Sequence, residues 1–161
     1  MMETDDGSLT IVTGVIGADV HCIGINIVEY GLKKSGFNVV SLGIQTPQEE
    51  FIDAAVETNA SAILVSSVYG HAQLDCRGLR DKCIEAGLDD ILLYVGGNLA
   101  VRSDATWEET YAAMKAMGFD RVYPPRVAIG EVIKDLRADL GLPPLPATAS
   151  PADDQRGKAF P

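Results

Sequence analysis

The chain has 161 residues, 47% of them hydrophobic and 22% charged, as expected of one ordinary domain that can bury a proper core. A formal net charge of −10 argues against a surface built for nucleic acid, which needs Lys and Arg set on phosphates. No apolar run approaches the roughly 20 residues that span a bilayer, and the acidic start from Met1 to Ser8 lacks the basic and apolar regions of a signal peptide.

Short apolar runs alternate with helical patterns along the chain. Leu9 to Val15, rich in β-branched residues, reads as a first buried strand. Ile23, Ile27, Val28 and Leu32 recur at helical spacing, and Gly36 is the stop. Asn38 to Leu42 is a second strand. Thr46 as N-cap, Pro47 in the first turn and Glu49 closing a capping box then predict a helix to about Thr58. A third strand from Ala62 to Ser66 precedes a loop and a helix from about Leu74 to Ala86. Ile91 to Val95 is the fourth strand, ending at Gly96 and Gly97. Thr106 with Glu109 repeats the capping box for a helix to Met117. Asp120 to Tyr123 is a fifth strand, and Ile129 to Leu140 the last helix.

Strands alternating with helices imply right-handed crossovers and a parallel sheet covered on both faces. The expected class is α/β, flavodoxin-like, a five-stranded sheet in the order 2-1-3-4-5. The domain is expected over residues 9–141, with a flexible start over 1–8. Pro143, Pro144, Pro146 and Pro151, set among Ala, Ser and charges, mark residues 142–161 as a disordered tail. Cys22, Cys76 and Cys83 show no zinc spacing and read as reduced thiols of a cytoplasmic protein.

Open parallel sheets bind ligands outside the carboxyl ends of their strands, near the point where strand order reverses. Three segments fall at such ends: Gly17 to Gly24, Ser66 to Gly70, and Gly96 to Asn98. Asp19 two residues before His21 suits a metal-bound imidazole whose other nitrogen donates to a carboxylate; Asp19 equally reads as a helix cap with His21 a bystander. Gly24 in a first helical turn fits close approach of a bulky ligand or tight packing on the sheet. Ser66 and Ser67 could bond a ligand nitrogen or cap the next element, and Gly96 and Gly97 admit something flat or simply make a turn. One histidine is too few for a structural zinc site and suits a metal already held in an organic ring. No phosphate-binding glycine fingerprint is present.

Asp19, His21 and Gly24, then Ser66 and Val68, then Gly96 and Gly97 resemble the Asp-x-His-x-x-Gly, Ser-x-Leu and Gly-Gly signature of base-off, His-on cobalamin-binding domains. Val68 stands where that signature has Leu, a small apolar change. The segments Gly14 to His21, Ile63 to Gly70, Asp75 to Arg80, Ile91 to Asn98 and Asp120 to Pro124 look like the small subunits of glutamate (methylaspartate) mutase, over about Leu9 to Gly141.

That resemblance implies adenosylcobalamin bound base-off and His-on, with His21 the axial ligand of cobalt and Asp19 behind it. It implies a cofactor-binding set of Ala18, Asp19, Val20, His21, Cys22, Gly24, Ser66, Ser67, Val68, Gly96, Gly97, Asn98, Leu99, Ala100, Val101 and Arg102. In it, Ser66 bonds the displaced benzimidazole, the two glycines leave room for its ring, and residues 98–102 line the nucleotide tail. The tail's cleft would lie between the sheet and the first helix. The resemblance also implies a larger TIM-barrel partner, two of each chain around two cobalamins. The expected activity is reversible rearrangement of L-glutamate to threo-3-methylaspartate, with no catalytic group on this chain beyond the cobalt ligand. The alternatives are a corrinoid carrier of a methyltransferase system and a cobalamin-sensing regulatory module. A phospho-receiver fits poorly, because Asp19 has no acidic pair before it.

Overall fold

The computed structural model describes residues 9–16, 23–67, 72–97, 106–124 and 127–143, with only the backbone of residues 23 and 24. Its elements are β1 (Thr10–Val15), α1 (Ile23–Lys34), β2 (Asn38–Ser41), α2 (Gln48–Thr58), β3 (Ala62–Ser66), α3 (Ala72–Asp75), α4 (Leu79–Glu85), β4 (Leu92–Gly96), α5 (Trp107–Ala116), β5 (Arg121–Tyr123) and α6 (Ile129–Asp139). All strand pairs are parallel, and the order is β2-β1-β3-β4-β5, as the alternation of elements predicts.

The strand sequences are apolar on both faces because both are covered. Val12, Ile16, Ile63, Val65, Leu93, Val95 and Val122 point to one side and pack with Phe51, Cys76, Leu79, Cys83 and Met114 from α2 to α5. Ile11, Ala62, Leu64, Tyr94 and Tyr123 point to the other and pack with Leu32 of α1 and Ile129, Ile133 and Leu136 of α6. Gly31 lets the two helices of this second layer meet: a Cβ there would lie 2.8 Å from Ile129 Cγ1. Leu142 packs against the same layer, and Arg137 Nε donates to Pro143 O at 2.7 Å. Cys76 and Cys83 are free, buried thiols; burial, then the charge of Asp75, pushes the Cys76 thiol up to about 12.

Two local expectations are corrected. Thr46 does not cap α2. Its N–H donates to Val15 O at 2.9 Å, it bridges Ile16, and its hydroxyl turns back to Gly43 O at 3.3 Å. Glu49 is drawn away as well, its Oε2 accepting from Lys82 Nζ at 2.6 Å. The N-cap is Pro47, with no side-chain cap bond. The helix expected from Leu74 to Ala86 is two helices, broken where Gly78 takes φ +83°. The break frees carbonyls that a continuous helix would use, and Gln48 Nε2 donates to those of Asp75 and Arg77 at 2.6 and 2.9 Å. The second capping box forms as the sequence predicts, Thr106 and Glu109 each bonding the other's backbone N–H at 3.1 Å.

Arg80 of α4 holds the far side of the sheet together. It donates to Gly118 O at 3.0 Å, Ile91 O at 2.8 Å and Asp120 Oδ2 at 2.8 Å, while Asp120 Oδ2 also accepts from Leu93 N at 2.9 Å. Arg80→Met keeps the packed stem and deletes three hydrogen bonds, so it should cost roughly 2 kcal/mol or more in urea unfolding. A loss below about 0.5 kcal/mol would show that the guanidinium contributes little.

Candidate functional site

Parallel register sets one row of residues across the carboxyl edge of the sheet: Val15 beside Ser66, Ser66 beside Gly96, and Gly96 beside Tyr123. Strand alternation puts all four on the α1/α6 face, because they lie two residues beyond Thr13, Leu64, Tyr94 and Arg121. The edge is pinned by backbone bonds from Ile16 N to Ser66 O at 3.0 Å, Val15 N to Gly43 O at 2.8 Å and Ser67 N to Gly96 O at 3.1 Å. Ser66 and Gly96 are half-buried, and among the described residues nothing bonds the Ser66 hydroxyl.

The two glycines play different parts. Gly97 has φ +111°, and a Cβ there would lie 2.2 Å from Ser67 O, so the turn itself demands glycine. A Cβ on Gly96 would meet Tyr123 Cβ at 3.5 Å, an ordinary contact. Among the described residues, therefore, no collision requires glycine at position 96.

Helix α1 runs back from this edge over the same face. Its sheet-facing side carries Ile25, Glu29 and Leu32, all buried. Glu29 is 8% exposed and its Oε2 accepts a 2.5 Å hydrogen bond from the hydroxyl of Thr13, which is wholly buried on β1. The apolar stripe expected at Ile27 and Val28 is only partly buried. The sequence reading missed this polar pair. The available signal was Thr13 inside an apolar strand together with Glu29 one helical turn after Ile25 and one before Leu32.

On the other side of the row, Tyr123 is fixed by a relay to α6. Tyr123 Oη donates to Asp135 Oδ2 at 2.8 Å, and Tyr94 Oη donates to Asp139. Arg121 grips Asp139 with two bonds, at 2.9 and 2.8 Å, and lies 3.6 Å from Asp135. Burial first, then these carboxylate partners, pushes both tyrosine hydroxyls up; Arg121's hydrogen bonds hold Asp139 below the usual carboxylate range. The rings of Tyr94 and Tyr123 meet edge to face, centroids 5.8 Å apart.

Of the residues singled out from the sequence, Ser66, Ser67, Gly96 and Gly97 come together at this edge, and Gly24 lies in the first turn of α1. Ala18, Asp19, Val20, His21, Cys22, Val68, Asn98, Leu99, Ala100, Val101 and Arg102 lie outside the described residues. Residues 17–22, 68–71 and 98–105, which contain them, join the carboxyl ends of β1, β3 and β4 to the helices that follow.

Residues 9–123 match the B12 binding domain family. The chain is 58% identical over 134 residues to the glutamate mutase sigma subunit of Carboxydothermus hydrogenoformans, covering 83% of this chain and 97% of that one. It is 53% identical over 131 residues to the glutamate mutase sigma subunit of Treponema denticola, covering 81% and 94%. Among solved structures it is similar to a cobalamin-binding protein of Desulfitobacterium hafniense, with a TM-score of 0.59 and 27% identity, over 71% of this chain and 52% of that one.

The contrast between the glycines can be measured without any ligand. Gly97→Ala should lower stability by more than about 2 kcal/mol, from positive φ and the collision with Ser67 O. Gly96→Ala should stay within about 1 kcal/mol of the parent. Equal losses in thermal or urea unfolding would contradict the different parts assigned to the two positions.

Proposed function

This chain belongs to the B12 binding domain family and, within it, to the glutamate mutase sigma subunits, and from that premise we propose how its residues hold the cofactor. It is the cobalamin-binding component of that isomerase. The cofactor is adenosylcobalamin, held base-off and His-on. His21 is the lower ligand of cobalt, and Asp19 accepts from the other ring nitrogen, fixing the tautomer and raising ligand basicity. The displaced nucleotide tail enters between α1 and the sheet.

One observation carries this reading: Ser66, whose hydroxyl is bonded by none of the described residues, and Gly96 stand side by side on the same face of the sheet as α1. A flat aromatic base with one hydrogen-bonding nitrogen needs that combination, room above the backbone and one polar group beside it. Ser66 donates to the base nitrogen, and Gly96 and Gly97 let the ring approach the backbone. Gly24 keeps the start of α1 from crowding the entrance. Ala18, Val20, Cys22, Ser67, Val68 and residues 98–102 complete the surround.

When bound, the cofactor supplies a cobalt–carbon bond whose homolysis starts the radical rearrangement; this chain contributes the lower ligand, orientation and exclusion of water from the tail. The substrate sits on a separate TIM-barrel subunit over the upper face, in an assembly with two copies of each chain. Among the described residues no helix is long and apolar enough to cross a membrane. The free thiols of Cys76 and Cys83 suit a cytoplasmic setting.

The test is conversion of L-glutamate to threo-3-methylaspartate with adenosylcobalamin, this chain and the barrel subunit. The complete set should turn over, and this chain with cofactor alone should not. Turnover by the isolated chain would contradict the separate substrate site, and silence of the complete set would contradict the mutase reading. Asp19→Asn should lower cofactor affinity or activity about 10- to 100-fold, as loss of a ligand's orienting partner does. An unchanged enzyme would make Asp19 a helix cap only.

A further inference from the structure

We propose that the substrate-bearing subunit docks on the α2–α5 side of the carboxyl edge, on an apolar rim of Ile44, Leu74 and Tyr111 bordered by acidic side chains. The inference rests on the reading above that the substrate sits on a separate subunit facing the cofactor, and adds which side of this chain that subunit grips.

Single exposed apolar residues are ordinary on protein surfaces, so their placement is what counts. Leu74 is the most exposed large apolar side chain among the described residues, at 64%, and stands on α3, just beyond the segment that leaves β3. Ile44, 41% exposed, stands in the turn that leaves β2. Tyr111, also 41% exposed, lies one turn into α5, and helical side chains lean toward the helix N-terminus. Its ring meets that of Trp107 at the start of the helix, centroids 6.0 Å apart. All three residues therefore stand near the carboxyl ends of strands and on one layer of helices. Packed helices lie roughly 10 Å apart, so α2, α4 and α5 set a rim roughly 20 Å long.

The fold holds this rim in place. Ile44 sits between Gly43 at φ +81° and Gln45 at φ +53°, and Thr46 ties the turn to β1 by donating to Val15 O at 2.9 Å. Left-handed backbone at Gln45 is a cost that such bonds offset. Gln48 then braces the helix that carries Leu74. Its Nε2 donates to Asp75 O at 2.6 Å and Arg77 O at 2.9 Å, which lashes α3 to the start of α2. A helix of four residues has little stability of its own, so α3 depends on such contacts.

The nucleotide tail takes the α1 side of the edge, which leaves the α2–α5 side for protein. A second copy of this chain fits that side badly. Glu50 and Glu108, exposed in the first turns of α2 and α5, would meet the same charges on the copy. Three apolar side chains also fall short of the about 800 Å² per partner that a stable interface buries. A subunit that covers the corrin as well gains the missing area from the cofactor. Its matching surface is apolar at the centre, with Lys or Arg set opposite Glu50 and Glu108.

The test is sedimentation velocity of this chain with the barrel subunit and adenosylcobalamin, which reads association with or without turnover. Leu74→Ser and Tyr111→Ser should each weaken association about tenfold, while cobalamin binding to this chain alone stays within about twofold. Val56→Ser and Ile84→Ser change residues 51% and 50% exposed near the opposite ends of α2 and α4, and should leave association within about twofold. Joint Glu50→Lys and Glu108→Lys should weaken association at low salt and flatten its decline as salt is added. Equal weakening by all four serine variants, or by none, would overturn the inference. So would loss of cobalamin binding in Leu74→Ser, which would make the rim part of the cofactor site. Association that obeys these variants without glutamate turnover would uphold the rim and contradict the mutase reading. No association of the parent pair would overturn both.

Discussion

Parallel pairing brings the carboxyl ends of β1, β3, β4 and β5 to one edge, in a register that sets Val15, Ser66, Gly96 and Tyr123 side by side. The rest of the molecule depends on that register. A slip of one residue in any strand would turn its member of the row to the opposite layer and exchange its buried set with the other face. The edge is therefore held by more than the ladder: the backbone of Thr46 bonds Val15 and bridges Ile16, and Ser67 bonds Gly96. The segments that follow β1, β3 and β4 start from fixed points as a result.

The two layers are not equivalent. The α2–α5 side is close-packed around the larger apolar cluster; Gly14 lies on it with Phe51 so near that a Cβ would meet the ring at 3.0 Å. The α1/α6 side carries polar pairs against the sheet: Thr13 with Glu29, and the two tyrosines tied to Asp135, Asp139 and Arg121. Buried polar groups cost stability unless paired, and paired ones fix a single geometry. Here they fix α1 on β1 at one side of Ser66 and Gly96 and Tyr123 on α6 at the other.

The strand order and most of the elements were legible because buried parallel strands and capped helices leave strong local patterns. The misread elements fail for one reason. Thr46 and Glu49 have the right spacing for a cap, yet each finds a stronger partner far away in sequence, Val15 and Lys82. The break at Gly78 is likewise supported by Gln48, nearly thirty positions earlier, and spacing alone cannot announce that contact. At the carboxyl edge, Ser66, Gly96 and Gly97 were singled out by a short signature, but the signature treats the two glycines alike. Only the neighbouring Ser67 carbonyl separates Gly97, required by the turn, from Gly96, where a Cβ would meet an ordinary contact. Glu29 escaped because a lone acidic residue in a helix looks solvent-facing until the helix is set on its strand.

The central claim is that this edge presents a histidine of this chain to cobalt. Its most direct measurement is electron paramagnetic resonance of the cobalt(II) cofactor in the assembled protein, with nitrogen-15 histidine incorporated into this chain alone. The chain contains only two histidines, and His71→Gln removes the one that is not the proposed ligand. The account predicts that the nitrogen superhyperfine triplet becomes a doublet on labelling, and does so equally in the His71→Gln protein. A triplet that ignores the label would contradict it.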